Sequence, residues 1–96
     1  MASGQGTAII DFGSGAGANE ASIAVSDATI SATSKAEAYI MADDTSADHT
    51  ANDHRYVGCW LSLTCGTPTA AVGFTIYGRS LEQLVGKFTL RWVWAD

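Results

Sequence analysis

Apolar and polar residues alternate along much of this chain, and a period of two marks strands half-buried against a core. The clearest run is residues 87–94. There Phe88, Leu90, Trp92 and Trp94 share one face, and Lys87, Thr89, Arg91 and Val93 share the other. Residues 72–77 repeat the pattern, with Val72, Phe74 and Ile76 opposite Gly73, Thr75 and Tyr77. These two runs predict adjacent antiparallel strands. The connector at residues 79–86 would hold one helical turn, with Leu81, Leu84 and Val85 closing one end of the core. Residues 56–65 predict the central strand. Val57, Cys59, Leu61 and Leu63 alternate up to Cys65, with Trp60 on the reverse face.

Shorter runs complete the set. Ile10 and Phe12 are the inward residues of 7–12, and Ile23 and Val25 those of 21–26. Residues 27–34 extend a strand or form a corner. Residues 35–41 contain helix formers, but Ala36, Ala38 and Ile40 alternate against Glu37, Tyr39 and Met41, which favours a strand. The glycine-rich stretch 13–20 and residues 66–69, with Pro68, are turns. In the polar stretch 42–55, Asp44, Thr45 or Ser46 would N-cap a short helical turn. The expected fold is all-β, a six- to seven-stranded antiparallel β-sandwich forming one domain over residues 7–96 behind a flexible arm at 1–6. Its expected core is Ile10, Phe12, Ile23, Val25, Ile40, Cys59, Leu61, Leu63, Phe74, Ile76, Phe88, Leu90 and Trp92.

Composition narrows the function. A chain of 96 residues buries only about 60–70% of its surface, and oligomerisation is a common remedy for the modest stability that follows. Charged residues make up 16%, below the usual ~25%. Small polar residues take their place, a surface suited to contact with other protein. Five basic and ten acidic residues give a net charge of −5, which argues against nucleic acid as a partner. No run approaches ~18 apolar residues, so no membrane partner is expected. The start MASGQGTAI has neither a basic region nor a long apolar stretch, which predicts synthesis in the cytoplasm without a leader. On one straight strand Cys59 and Cys65 would stand about 20 Å apart at ~3.3 Å per residue, too far for a disulfide. Both are expected reduced, Cys59 in the core and Cys65 at its margin.

Candidate chemistry is sparse. Gly13, Gly15 and Gly17 suggest a nucleotide loop, but no Lys-Ser/Thr follows them and no apolar helix pattern succeeds them. His49 and His54 lie among Asp43, Asp44, Asp48 and Asp53, yet their spacing of five does not match the i, i+4 pair of helical zinc sites. No partner nucleophile is legible for acid–base catalysis. The expectation is no enzyme, no cofactor and no metal, with these side chains capping turns or meeting a neighbouring subunit. The aromatic residues are too many for so small a core. Trp60, Tyr56, His49, His54, Arg55, Tyr77, Arg91 and Trp94 are therefore the interface candidates. Arg55, Arg79 and Arg91 would pair with carboxylates across such a contact. Sugar stacking on Trp60, Trp94 or Tyr77 is the rival use.

Three segments carry a resemblance: Asn-Glu-Ala-Ser at residues 19–22 after the glycine-rich loop, the middle KAEAYIMADDTSADHTANDH, and the end GFTIYGRS…GKFTLRWVW. With them the chain resembles small virion-associated proteins of tailed bacteriophages over most of its length. That resemblance implies an accessory head or tail component, located in the virion after synthesis in the host cytoplasm, with other virion proteins as partners. The strand order and the WVW end are also similar in architecture to H-type lectin sandwiches, which are trimeric. The expected assembly is thus a homo-oligomer, a trimer for preference. No sugar-binding residue of that family is matched, so a glycan partner remains the alternative.

Overall fold

A computed structural model describes residues 2–41 and 49–96. Six strands and one short helix follow in the order β1 (Ser3–Asp11), β2 (Ala18–Ser26), β3 (Lys35–Ile40), α1 (Ala51–Val57), β4 (Leu61–Cys65), β5 (Gly73–Leu84) and β6 (Lys87–Ala95). They form two three-stranded antiparallel sheets, ordered β1-β6-β3 and β2-β5-β4. The all-β expectation holds. One apolar cluster joins the sheets, drawing Ile10, Phe88, Leu90, Trp92 and Trp94 from the first and Val25, Phe74 and Ile76 from the second. Phe74 meets Trp92 edge-on at 5.6 Å, and Ile10 lies so close over Gly78 that a Cβ there would sit 2.8 Å from it.

The pairing differs from expectation in three ways. First, β5 and β6 are not neighbours; each is the centre of its own sheet. An apolar face opposite another apolar face has the same alternation as one beside it, so periodicity alone does not separate the two arrangements. The expected helical turn at 79–86 is strand as far as Leu84, and Leu81 is 86% exposed rather than closing the core. Val85 and Gly86 then carry the chain between sheets, held by Phe12 N–H on the Gly86 carbonyl and Gly86 N–H on the Gly13 carbonyl. Second, residues 56–65 are not one central strand. Residues 51–57 are helix, 58–60 are turn, and β4 is an edge strand. Cys59 therefore lies exposed instead of in the core, while Cys65 is half-buried and both are free thiols. Third, the arm expected at 1–6 is β-structure from Ser3 onward, paired with the end of β6.

That last pairing explains the glycines. Gly4 faces Trp94 and Gly6 faces Trp92 in register, and Ala36 and Ala38 flank the same two indoles from β3. A Cβ on Gly4 would stand 2.3 Å from Trp94, and one on Gly6 2.5 Å from Trp92. The indoles lie across strand positions that lack side chains, the aromatic cover that such glycines need. The loop at 13–17 carries the chain from β1 to β2, another crossover between the sheets. Its three glycines all have positive φ, and a Cβ on Gly17 would meet the Leu84 carbonyl at 2.2 Å.

Candidate interaction surfaces

The described part of the polar stretch, residues 49–55, leads into α1. The possible caps Asp44, Thr45 and Ser46 lie outside the described residues; the cap observed for α1 is Thr50. Its side chain accepts from Asp53 N–H, and the Asp53 carboxylate accepts from Thr50 N–H, a reciprocal capping box. The Thr50 backbone bond, helped by His49, holds the Asp53 carboxyl below its usual range. His49 stacks on Phe88 with ring centres 4.0 Å apart. Its Nε2–H donates to the Val85 carbonyl at 2.6 Å, and Nδ1 lies 3.4 Å from Asp53.

His54 is fully buried. Nδ1 lies 2.7 Å from the Thr50 carbonyl, and Nε2 accepts Thr89 N–H at 2.9 Å. A carbonyl only accepts and an amide only donates, so the ring is the neutral tautomer protonated at Nδ1. Met41 N–H donates to the Thr89 carbonyl, the last step of the β3–β6 ladder. His54 takes the Thr89 amide at that step, so α1 completes the sheet where β3 ends. With both nitrogens engaged by backbone, His54 is neither an interface residue nor available as a metal ligand. Among the described residues no group of three metal-ligating side chains gathers.

Trp94 is the second expected interface residue that the fold buries, at 2% exposure, with Nε1–H donating to the Asp27 carboxylate at 2.7 Å. Arg55, Arg91 and Tyr77 lie apart from one another. Arg55 on α1 is exposed and donates to Asn52. Arg91 is half-buried on the outer face of the first sheet and donates to the Gln5 side chain. Tyr77 is 52% exposed on the outer face of the second sheet, beside a shallow groove lined by Glu20, Ser62, Thr64 and Arg79. Arg79 pairs with Glu20 within the chain at 3.4 Å. Both are well exposed, and pairs of that kind contribute about 0–1 kcal/mol.

Tyr56 and Trp60 are the candidates that the fold brings together. Their rings meet edge to face at 4.6 Å. Trp60 also lines a groove of about 330 Å³ with Cys59, Leu61, Arg79 and Leu81. Tyr56 is 67% exposed, so this end of the molecule offers Tyr56, the groove and Leu81 together. Leu81 was missed by sequence reasoning. Had residues 79–84 been taken as strand, the inward set Phe74, Ile76, Gly78, Ser80 would have placed Leu81 outside. Cys65, at the far end of β4 and outside this groove, has its thiol pushed up by burial, with the Glu37 carboxylate adding to it.

No protein-family model, curated protein or solved structure matches this chain.

Proposed function

We propose that this chain is a non-enzymatic structural protein of a tailed-phage virion, an accessory capsid-decoration or tail component that assembles as a homo-oligomer and works by being covered. The observation that carries this reading is the patch formed by Tyr56, Trp60 and Leu81. Water meets 67% of the tyrosine and 86% of the leucine, and aromatic residues beside a cleft are typical anchors of a protein contact. The Trp60 Nε1–H is buried without an acceptor among the described residues. Such an orphan costs about 1–3 kcal/mol, which a docking neighbour that turns the ring would relieve.

Protein mass spectrometry of purified particles, followed by rebinding of the purified protein to particles lacking it, tests the assignment. Wild-type protein is expected to rebind, and the folded variants Tyr56→Ala and Leu81→Ser to rebind poorly. Absence from the particle, or equal rebinding by both variants, overturns the reading.

A glycan-binding role in a receptor-binding apparatus is the second reading, supported by Tyr77. It stands exposed beside Arg79, Glu20 and two hydroxyl side chains, an aromatic platform with polar groups around it. Of the other two expected platforms, Trp94 is buried and Trp60 is half-buried with its ring against Tyr56. Glycan-array binding abolished by Tyr77→Ala supports this reading, and a flat array removes it.

A further inference from the structure

The four sheet edges are unequal. β1 and β2 run for nine residues each, β3 for six and β4 for five. Natural edges are guarded by lysine, proline, bulges or brevity. β2 reads ANEASIAVS, with no lysine, arginine or proline and with Glu20 as its one charge; its single irregularity lies at the start, between Ala18 and Glu20.

Hydrogen-bond parity shows what this edge offers. Asp27 N–H donates to the Val72 carbonyl at 2.9 Å, one step beyond the paired residues Ser26 and Gly73. In an antiparallel ladder, residues alternate between bonding the partner and facing away from it. Val25, Ile23 and Ala21 therefore bond β5, and the main-chain groups of Ser26, Ala24, Ser22 and Glu20 point outward. The side chains of those four are exposed. The same parity on β1, set by Asp96 N–H on the Ala2 carbonyl and Phe12 N–H on the Gly86 carbonyl, turns Ser3, Gln5, Thr7 and Ile9 outward. That edge is already partly used, because the Thr7 carbonyl accepts the Trp92 indole N–H at 3.3 Å. β2 is the long edge with its outward ladder free among the described residues.

We propose that β2 pairs antiparallel with β2 of a second copy, across a two-fold axis at Ile23. Ser22 then faces Ala24 of the second copy and Glu20 faces Ser26, so all four outward residues meet an outward residue and the ladder is complete in both chains. No carboxylate meets a carboxylate, which matters between two chains of net charge −5. The two Ile23 side chains meet at the non-hydrogen-bonded position, where side chains approach most closely. Ile23 is only half-buried within one chain, and the pairing covers the remainder. The two β2-β5-β4 sheets become one six-stranded sheet. This deepens the homo-oligomer part of the proposed function without depending on the virion part, and makes the unit two-fold instead of the three-fold one that the resemblance implies.

Native mass spectrometry and sedimentation of the purified chain test it, with Ala24→Pro and Ser22→Pro as variants. Both residues turn their N–H away from β5, so proline removes a bond from the intermolecular ladder and none from the sheet of its own chain. The wild type is expected to be a dimer, and each variant to weaken it by at least about tenfold in dissociation constant while keeping its far-UV spectrum. If proline unfolds the chain, hydrogen exchange on the wild type decides. The amides of Ser22, Ala24 and Ser26 are expected to exchange slowly, and faster on dilution. A wild-type monomer or trimer at high micromolar concentration, a dimer unchanged by Ala24→Pro, or fast exchange at Ser22 and Ala24 overturns the proposal. Particle occupancy and rebinding are separate measurements, so the two readings fail separately.

Discussion

Replacing His54 by phenylalanine tests whether α1 is held to the first sheet through that imidazole. The side chain is fully buried, between the Thr50 carbonyl and the Thr89 amide and against Phe88 at 5.4 Å. Phenylalanine keeps a ring there but accepts no hydrogen bond. The Thr50 carbonyl retains its bond from the His54 backbone N–H at 3.1 Å, so it is not orphaned. The Thr89 amide loses its Nε2 acceptor at a buried step of the ladder, a loss of about 1–3 kcal/mol. In a domain of this size, 1 kcal/mol moves the melting midpoint by roughly 4–8 °C. His54→Phe is therefore expected to melt at least about 4 °C lower and to exchange the Thr89 amide faster. His54→Ala, which adds a cavity, should fall further. Urea unfolding with amide exchange by NMR is the assay. A His54→Phe protein within about 0.5 kcal/mol of wild type, with Thr89 still protected, refutes the reasoning.

Two further predictions concern the tryptophans. Gly4→Ala and Gly6→Ala should each destabilise by about 1–3 kcal/mol, measured by denaturant unfolding, because the new Cβ overlaps a buried indole; a neutral or stabilising result would show that the indoles do not depend on those gaps. Asp27 accepts from the Thr29 hydroxyl and amide and from the Trp94 indole, which together hold its carboxyl below the usual range. A carboxyl depressed by folding contributes stability that is full above its unfolded value and is lost as pH falls through the folded one. Asp27→Asn should therefore flatten the acid limb of stability against pH, followed by tryptophan fluorescence; an unchanged acid limb would count against the Asp27–Trp94 contact.

The limits of sequence reading here have physical causes. Strand positions and inward faces were legible for Ile10, Phe12, Val25, Phe74, Ile76, Phe88, Leu90 and Trp92, all of which are buried, because alternation reports burial directly. Expected core residues Ile23, Ile40, Leu61 and Leu63 came out half-buried, since they lie on the edge strands β2, β3 and β4. Trp94 had the right parity and was still placed outside, on the argument that so many aromatic residues exceed the core. The room for it is made by side chains that are missing, at Gly4 and Gly6, in a stretch that reads as an arm because residues 3–6 carry no apolar side chain. The strand character of those residues resides in their partner across the ladder.

The same reasoning separates the two exposed surfaces. The Tyr56–Trp60–Leu81 patch is a matter of side chains, which their exposure and the ring contact identify. The β2 edge is a matter of main-chain groups, and its sequence is ordinary: small residues, one glutamate, two β-branched side chains. Nothing in ANEASIAVS distinguishes a central strand from an edge until the order β2-β5-β4 places it there. Once it is an edge, the missing lysine and proline become informative, because an unguarded edge of nine residues invites pairing with another strand. A lysine at Ala24 would sit on the solvent face without touching the core, so one substitution was enough to guard this edge. Its absence from a position that would bear it at little cost to the fold is the reason to look for a second chain there.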